Sequence, residues 1–349
     1  MNEIKKYISK VVDGNDLTED EAQRSFQIIM KGGATPAQIS AFLVGLRMKG
    51  ESIDEIAAAA KVMRIKAEKF EAPSGSLDTC GTGGKSGVFK LLKGYDNTGS
   101  FNVSTAVAFV VAGCGVPVAK HGNKAISSKS GSADVLSMIG VNIDAEKQVM
   151  EQALREANIC FMMAPKFHKA MKHVAPIRME LGIRTIFNIL GPLSNPANAH
   201  FQLLGVYSRE LVKPIAGVLK KLGLERAWVV HGSDGMDEIT TTGKTYVAKL
   251  SKGKITSDEI DPEKYGIKKV KIEDLRGGTP NVNAQHLKNL LMNKGNEAYK
   301  DIVLLNSAAA LVVAGVAKNI EDGIVKANES IESGAANDAL MKLCAITNS

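Results

Sequence analysis

The sequence predicts an α/β protein with a smaller all-helical N-terminal domain, its central sheet largely parallel and flanked by helices. Three observations predict it. Residues 1–70 place apolar side chains at helical spacing only. Beyond residue 77, short apolar runs of strand length alternate with longer runs of helix length, the pattern of repeated βα units. Between the two regimes stands Ala72-Pro73-Ser74-Gly75, a turn sequence. The expected division is a helical domain over 1–70, completed by helices near 165–182, and an α/β domain over 73–349. A chain of 349 residues suits one large domain and a smaller one.

In the helical part, Thr18 and Glu21 form a capping box, the hydroxyl accepting from the third helical N–H while the carboxylate reaches back. Ala22, Phe26 and Ile29 then share a face. Ile39, Phe42, Leu43 and Leu46 follow at i, i+3, i+4, i+7. Ser52 and Glu55 repeat the box ahead of Ile53, Ile56, Ala57, Ala60 and Met63. In the second part the candidate strands are 77–80, 116–119, 159–163, 203–206, 227–231 and 246–250. The candidate helices are 104–112, 133–139, 145–157, 209–222, 302–317 and 320–333. Residues 251–281 are polar, carry Gly-Gly and two prolines, and are expected to form a surface loop with short elements.

Composition bounds the function. Hydrophobic residues make up 44% and charged residues 23%, which is globular and not disordered. Aromatics are only 5%, so the core must be largely aliphatic. The net charge of +7 fits a phosphate-rich ligand, a nucleic-acid surface, or merely surplus surface lysine; no dense Lys/Arg run favours nucleic acid. Cys80, Cys114, Cys160 and Cys344 show no CxxC spacing, so neither a zinc site nor a redox pair is indicated, and all four are expected reduced and buried. The N-terminus lacks a secretory apolar core, and the longest apolar region, 103–119, is too interrupted to span a bilayer. A cytoplasmic protein without membrane association is expected.

Five segments carry candidate chemistry, mostly in loops after strands, where open α/β sheets bind ligands. Gly81-Thr82-Gly83-Gly84 lets backbone N–H groups approach an anion, although a glycine turn alone looks the same. Asn102-Val103-Ser104-Thr105 opens a helix; its hydroxyls are either caps or contacts to a phosphate and its metal. The run from Lys120, His121, Gly122 and Asn123 to Ser128 and Ser132 is dense in anion-binding groups. Asp237-Glu238 can present two carboxylates to one hard cation, or form an exposed acidic turn. Arg178 can grip a carboxylate in a bidentate fork, or make a structural ion pair. His168 and His173, five apart, are poorly spaced for one helix face and are not read as a metal pair.

Taken together and in order, GTGG at 81–84, FNVSTA at 101–106, VAKHGN at 118–123, SSKSGSADVL at 127–136, RMELGIRTIFNILGPLSNP at 178–196 and GMDEIT at 235–240 resemble the anthranilate phosphoribosyltransferases. NA at 283–284, LLNSAAAL at 304–311 and the SGAA taken to end the last long helix extend the match over nearly the whole chain. The resemblance implies transfer of the phosphoribosyl group of phosphoribosyl pyrophosphate to anthranilate in tryptophan biosynthesis, with Mg²⁺, by a homodimer joined through the helical part. It implies that Gly81, Gly84, Asp96, Ser100, Asn102, Ser104, Thr105, Lys120, Ser128 and Ser132 hold phosphoribosyl pyrophosphate. Ser104, Asp237 and Glu238 would serve magnesium. Gly81, Asn123 and Arg178 would hold anthranilate, with His121 and Gly191-Pro192 lining its path. No acid–base residue is assigned, because the attacking aromatic amine is neutral near pH 7.

One departure stands out. The family reads GTGG followed at once by Asp; here Lys85 follows, and the match resumes at Asp96. Residues 85–95 are thus extra, and Lys85–Lys90 resembles Asn97–Asn102 at an offset of twelve. Either the insert loops out and Asp96 returns to its place, which closure entropy permits, or the phosphate site is impaired. Deleting 85–95 and measuring the KM for phosphoribosyl pyrophosphate separates the two. Two other functions remain open. One is a pyrimidine nucleoside phosphorylase, tested by phosphorolysis of thymidine or uridine. The other is a catalytically impaired nucleic-acid-binding relative, tested by salt-dependent DNA binding.

Overall fold

A computed structural model describes residues 3–83, 99–125 and 130–349. Four helices come first: α1 (Glu3–Val12), α2 (Glu19–Met30), α3 (Pro36–Lys49) and α4 (Ile53–Lys66). The capping boxes at Thr18/Glu21 and Ser52/Glu55 form, and Thr35/Gln38 adds a third ahead of Pro36. The apolar stripes are buried as expected except at Ile53, which is partly exposed.

The second part runs β1 (Leu77–Asp78), α5 (Val103–Gly113), β2 (Val118–Gly122), α6 (Ser132–Met138), α7 (Lys147–Ala157), β3 (Ile159–Met163) and α8 (Ala164–Phe167). A 3₁₀ turn at Lys169–His173 leads into α9 (Ala175–Leu181) and α10 (Phe187–Leu193). Then come β4 (Phe201–Gly205), α11 (Val212–Lys221), β5 (Arg226–Gly232), β6 (Thr245–Ser251) and β7 (Lys254–Ile260). Four helices close the chain: α12 (Pro280–Leu291), α13 (Glu297–Ala314), α14 (Ile320–Glu332) and α15 (Ala335–Thr347).

The strands form one sheet in the order β3-β2-β1-β4-β5-β6-β7. Pairs from β3 to β5 are parallel, and β6 and β7 are added antiparallel. Side chains alternate between faces, as period two requires. Phe201, Leu203, Trp228 and Val230 join a core with α5 and α12–α15. Leu204, Ala227 and Val229 join a second core with α1–α4, α10 and α11. The bundle therefore shares one apolar core with a sheet face, through Val174, Ile177, Ile186 and Leu190 of the 165–193 region. Beyond its first turn, helix α5 is apolar and buried on all sides from Ala106 to Ala112.

Several expectations need correction. Strand β1 ends at Asp78 instead of residue 80, and β2 extends to Gly122, so Lys120 and His121 lie within a strand. The 251–281 stretch contains β7, whose charged residues hide it from hydrophobic patterning; only Ile260 is buried. Lys252 and Gly253 both have positive φ (50° and 71°), so this turn joins β6 and β7 in the hairpin conformation that matches strand twist. Within the SGAA segment Ser333-Gly334 follow α14 and Ala335-Ala336 open a further long helix, α15, so the segment does not end the last one. Of the four cysteines only Cys160 is fully buried; all four are free.

Candidate active site

Strand order reverses at β1, which pairs with β2 on one side and β4 on the other. Helix α5, after β1, packs in one core, and α11, after β4, in the other. Diverging helices open a crevice at the carboxyl ends of β1 and β4, the usual ligand position in open α/β sheets. A polar pocket sits there, lined by Thr79, Gly81, Ser104, Gly205, Glu238 and Asn306 among others.

The candidate residues meet across this crevice from distant parts of the chain. Lys120 is buried on β2 and its Nζ donates to the Thr79 carbonyl and to Ser104 Oγ, both at 3.2 Å. Ser104 and Thr105 are not caps: Asn102 occupies the N-cap without a side-chain cap bond, and Thr105 Oγ1 donates to Ser132 Oγ at 3.1 Å. Ser132 opens α6, whose Asp134 accepts from the N–H groups of Ala125 (2.8 Å) and Gly131 (2.9 Å), closing the loop between β2 and α6. Ser100 forms an antiparallel bridge with Arg276.

Asp237 and Glu238 do not form an exposed turn. Asp237 Oδ2 accepts the Gly83 N–H at 2.9 Å, and a Cβ at Gly81 would stand 2.5 Å from the same oxygen. A Cβ at Gly205 would overlap the Asp237 carbonyl oxygen. Only glycine fits at Gly205, whose neighbour is backbone, and at Gly81 any side chain would displace the Asp237 carboxylate. Burial, and then the Asp237 carboxylate, push the Glu238 carboxyl up to about 8. Burial also raises Asp237. Two neighbouring carboxylates held out of water favour a bound cation. Among the described residues no group of three His, Cys, Asp or Glu side chains gathers to cage a metal. The donor set therefore fits a hard ion that completes its shell with water and substrate oxygens.

The second group is further along β2. His121 stacks edge-on to His168, ring centroids 5.1 Å apart, and both are buried. Burial, and then the neighbouring His168, push His121 down to about 3; burial pushes His168 down to about 4. Both imidazoles are neutral at pH 7. Arg178 on α9 has its guanidinium carbon 5.7 Å from the centre of the Phe187 ring, and burial lowers its pKa. Asn123 Oδ1 takes the Lys124 N–H at 2.8 Å. Pro192 is buried, its carbonyl accepting from Gln202 Nε2 at 2.7 Å, whereas the Cα of Gly191 faces open space. Gly84, Asp96 and Ser128, with the 85–95 insert, lie outside the described residues.

Residues the sequence reading did not single out hold this frame. Asp78, at the end of β1, accepts from Asn195 Nδ2 (2.8 Å), and burial pushes its carboxyl up to about 6. Asn195 Nδ2 also donates to the Ala119 carbonyl at 2.9 Å. Asn306 clamps the acidic loop: its Oδ1 accepts the Ile239 N–H (2.9 Å) and its Nδ2 donates to the Ile239 carbonyl (2.7 Å). A carboxylate and two amides within otherwise apolar runs were the available signal, because such groups are tolerated in a core only when hydrogen-bonded.

Comparison with known proteins places this architecture. Residues 5–67 match the glycosyl transferase family, helical bundle domain, and residues 74–337 match the glycosyl transferase family, a/b domain. Bundle, sheet and switch-point site together define a glycosyl transferase of this two-part class. Anthranilate phosphoribosyltransferases of Rhodospirillum rubrum and Azospirillum brasilense are each 53% identical, over 99% and 100% of this chain and 96% and 94% of theirs. The crystal structure of the Thermus thermophilus anthranilate phosphoribosyltransferase superposes with a TM-score of 0.91 at 38% identity, covering 100% of both chains. That from Saccharomyces cerevisiae, in complex with PRPP and Mg, gives 0.87 at 29% identity over 99% and 98%. The chain belongs to the anthranilate phosphoribosyltransferase family.

Proposed function

We propose that this protein transfers the phosphoribosyl group of phosphoribosyl pyrophosphate to anthranilate, releasing pyrophosphate, and that the switch-point crevice is where it does so. The meeting of Gly81, Ser104 and Glu238 around one pocket, with Lys120 bonded to Ser104 and Asp237 to Gly83, carries the reading. Lys120, the hydroxyls of Ser104, Thr105, Ser100 and Ser132, the Asn102 amide and the glycine-loop N–H groups suit an anion with several phosphate oxygens. With them, Gly84, Asp96 and Ser128 complete the set by family resemblance. Ser104, Asp237 and Glu238 would hold Mg²⁺, which when bound screens the charge growing on the leaving pyrophosphate.

The chain's own residues position and exclude. Carbon–oxygen cleavage at the ribose leaves a carbon with cationic character, and the anthranilate nitrogen lone pair forms the new bond. No strong base is needed, and His121 and His168 are too weakly basic to be one. Arg178 would hold the anthranilate carboxylate, with Asn123, Gly81, His121 and Gly191-Pro192 around the ring. Much of the acceleration then comes from orientation. The exposed apolar side chains Val12, Met48 and Ile65 on the bundle helices support a homodimer through that part. A bundle at 1–70 and a sheet domain at 73–349 is the corresponding division. No described helix is long and apolar enough to cross a membrane, and we place the enzyme in the cytoplasm.

The test is loss of anthranilate fluorescence on adding phosphoribosyl pyrophosphate and Mg²⁺. Arg178→Ala should raise the KM for anthranilate at least tenfold, about 1.4 kcal/mol, with the KM for phosphoribosyl pyrophosphate within twofold. Absence of turnover by the folded wild-type protein would refute the assignment.

A further inference from the structure

We propose that Asn283, on α12, is a positioning residue that fixes which face the Asn102 amide shows to the phosphoribosyl substrate. The inference rests on the reading that Asn102 contacts that substrate. Three chain segments meet at the Asn102 side chain. The segment 99–102 lies along 275–277: the Gly277 N–H donates to the Gly99 carbonyl at 2.5 Å, and the Phe101 N–H donates to the Leu275 carbonyl at 3.2 Å. The third segment leads into α6, and there the Ser130 carbonyl accepts from Asn102 Nδ2 at 3.3 Å and Ser130 Oγ donates to Asn102 Oδ1 at 3.4 Å.

An amide has two nearly isosteric faces, one donating and one accepting, and it presents whichever its neighbours dictate. The chain of dictation starts at a group that cannot turn round. The Gly278 backbone N–H donates to Asn283 Oδ1 at 2.7 Å. That fixes Asn283, only 3% exposed, with Nδ2 directed at Asn102. Asn283 Nδ2 donates to Asn102 Oδ1 at 2.9 Å. Asn102 Oδ1 is thereby turned toward α12, with Ser130 Oγ as a second and more distant donor, and its Nδ2 faces the Ser130 carbonyl. An anion needs a donor there, and the opposite amide orientation would offer it a carbonyl oxygen.

Asn283→Asp separates this role from a structural one. A carboxylate still accepts the Gly278 N–H, so anchoring of the turn survives, but it cannot donate to Asn102. The Asn102 amide is then driven to flip, Nδ2 toward the new carboxylate and Oδ1 toward the substrate. The expected result is a KM for phosphoribosyl pyrophosphate raised about tenfold, with the KM for anthranilate within twofold. A double-mutant cycle with Asn102→Ala excludes simple charge repulsion. If Asn283 acts through Asn102, Asn283→Asp adds less than twofold in the Asn102→Ala background. If the new charge repels substrate directly, the factor persists there and the inference is overturned.

An unchanged KM in the single Asn283→Asp variant overturns it as well, because a residue that only anchors Gly278 would tolerate aspartate. Should the aspartate variant fail to fold, Asn283→Ala is taken through the same cycle with the same criterion. Asn102→Ala alone tests the underlying reading: if it leaves the KM for phosphoribosyl pyrophosphate unchanged, the substrate contact itself is wrong. If it raises that KM while Asn283 variants do not, only the positioning role falls.

Discussion

Gly81→Ala is a perturbation of one methyl group whose effect the structure specifies. Gly81 does not have a positive φ, so alanine meets no backbone strain there. Its Cβ would stand 2.5 Å from Asp237 Oδ2 and 3.4 Å from the Gly205 carbonyl oxygen. The second contact is ordinary. The first is not, since real Cβ contacts below 3.0 Å are essentially absent. The carboxylate oxygen must therefore retreat by at least about 0.5 Å, straining or breaking its 2.9 Å bond from the Gly83 N–H. Asp237 has a short side chain that can rotate, so the fold should survive with nearly wild-type thermal unfolding. The site should not, because misplacement by about 1 Å can cost on the order of 10²-fold in rate. We expect kcat/KM, followed by anthranilate fluorescence, to fall between about 10- and 100-fold, and the Mg²⁺ concentration for half-maximal rate to rise. A folded Gly81→Ala protein with kcat/KM within twofold of wild type and an unchanged Mg²⁺ midpoint would refute the placement of Asp237 at the working metal site.

The other expectations concern the frame. Glu55 is fully buried, and its carboxylate accepts from Lys49 Nζ (2.9 Å), the Leu17 N–H (2.9 Å) and the Ser52 N–H (2.8 Å). Glu55→Ala strands the two backbone N–H groups, while Lys49 keeps Asp16 (2.6 Å) and the Gly50 carbonyl (2.7 Å); urea unfolding should show a loss of about 2–4 kcal/mol, and a loss below about 1 kcal/mol would mean water replaces the carboxylate. His121 and His168 have folded pKa values below the ordinary 6.5, so the unfolded chain binds protons between pH 6.5 and about 4 that the folded chain refuses. Their contribution to stability is full above pH 6.5 and is lost as pH falls through that window, with a slope approaching about 1.4 kcal/mol per pH unit for each group. His168→Phe keeps a ring beside His121, and its unfolding free energy between pH 6.5 and 4.5 should decline less steeply than wild type. Parallel slopes would show that the imidazole is reached by water.

Much of the fold was legible because local chemistry declares it. Thr18/Glu21 and Ser52/Glu55 mark helix starts by residue type alone, and Thr35/Gln38 could have been read the same way. Helix α12 was missed although Ala284, Leu287 and Leu291 keep helical spacing, because its other positions are polar. Strand β7 carried no such signal. Its exposed Lys254, Asp258 and Glu259 suit an edge strand, which charge protects from pairing with other chains, but they erase the alternation by which a strand is recognised. Strand order was never legible: β1 pairs with β4, whose partner residues lie more than a hundred positions further along the chain.

The site divides along the same line. Gly81, Ser104, Lys120, Asp237 and Glu238 could be proposed from the sequence because a polyanion and its cation restrict the residue types that can serve them, and restricted types in a fixed order form a recognisable string. The groups that set their register were not readable. Gly83 and Asp237 are 154 positions apart, and Asn102 and Asn283 are 181 apart. The NA at 283–284 belongs to the recognised string, but nothing in it distinguishes a solvated amide from one buried against a loop on the far side of the chain. The distinction is energetic: a buried amide must find partners for its donors and acceptors, so once folding buries Asn283 its orientation is imposed by the Gly278 N–H, and that orientation passes to Asn102. A candidate substrate contact can thus be proposed from sequence, while the orientation of its side chain depends on a partner that only the fold brings to it.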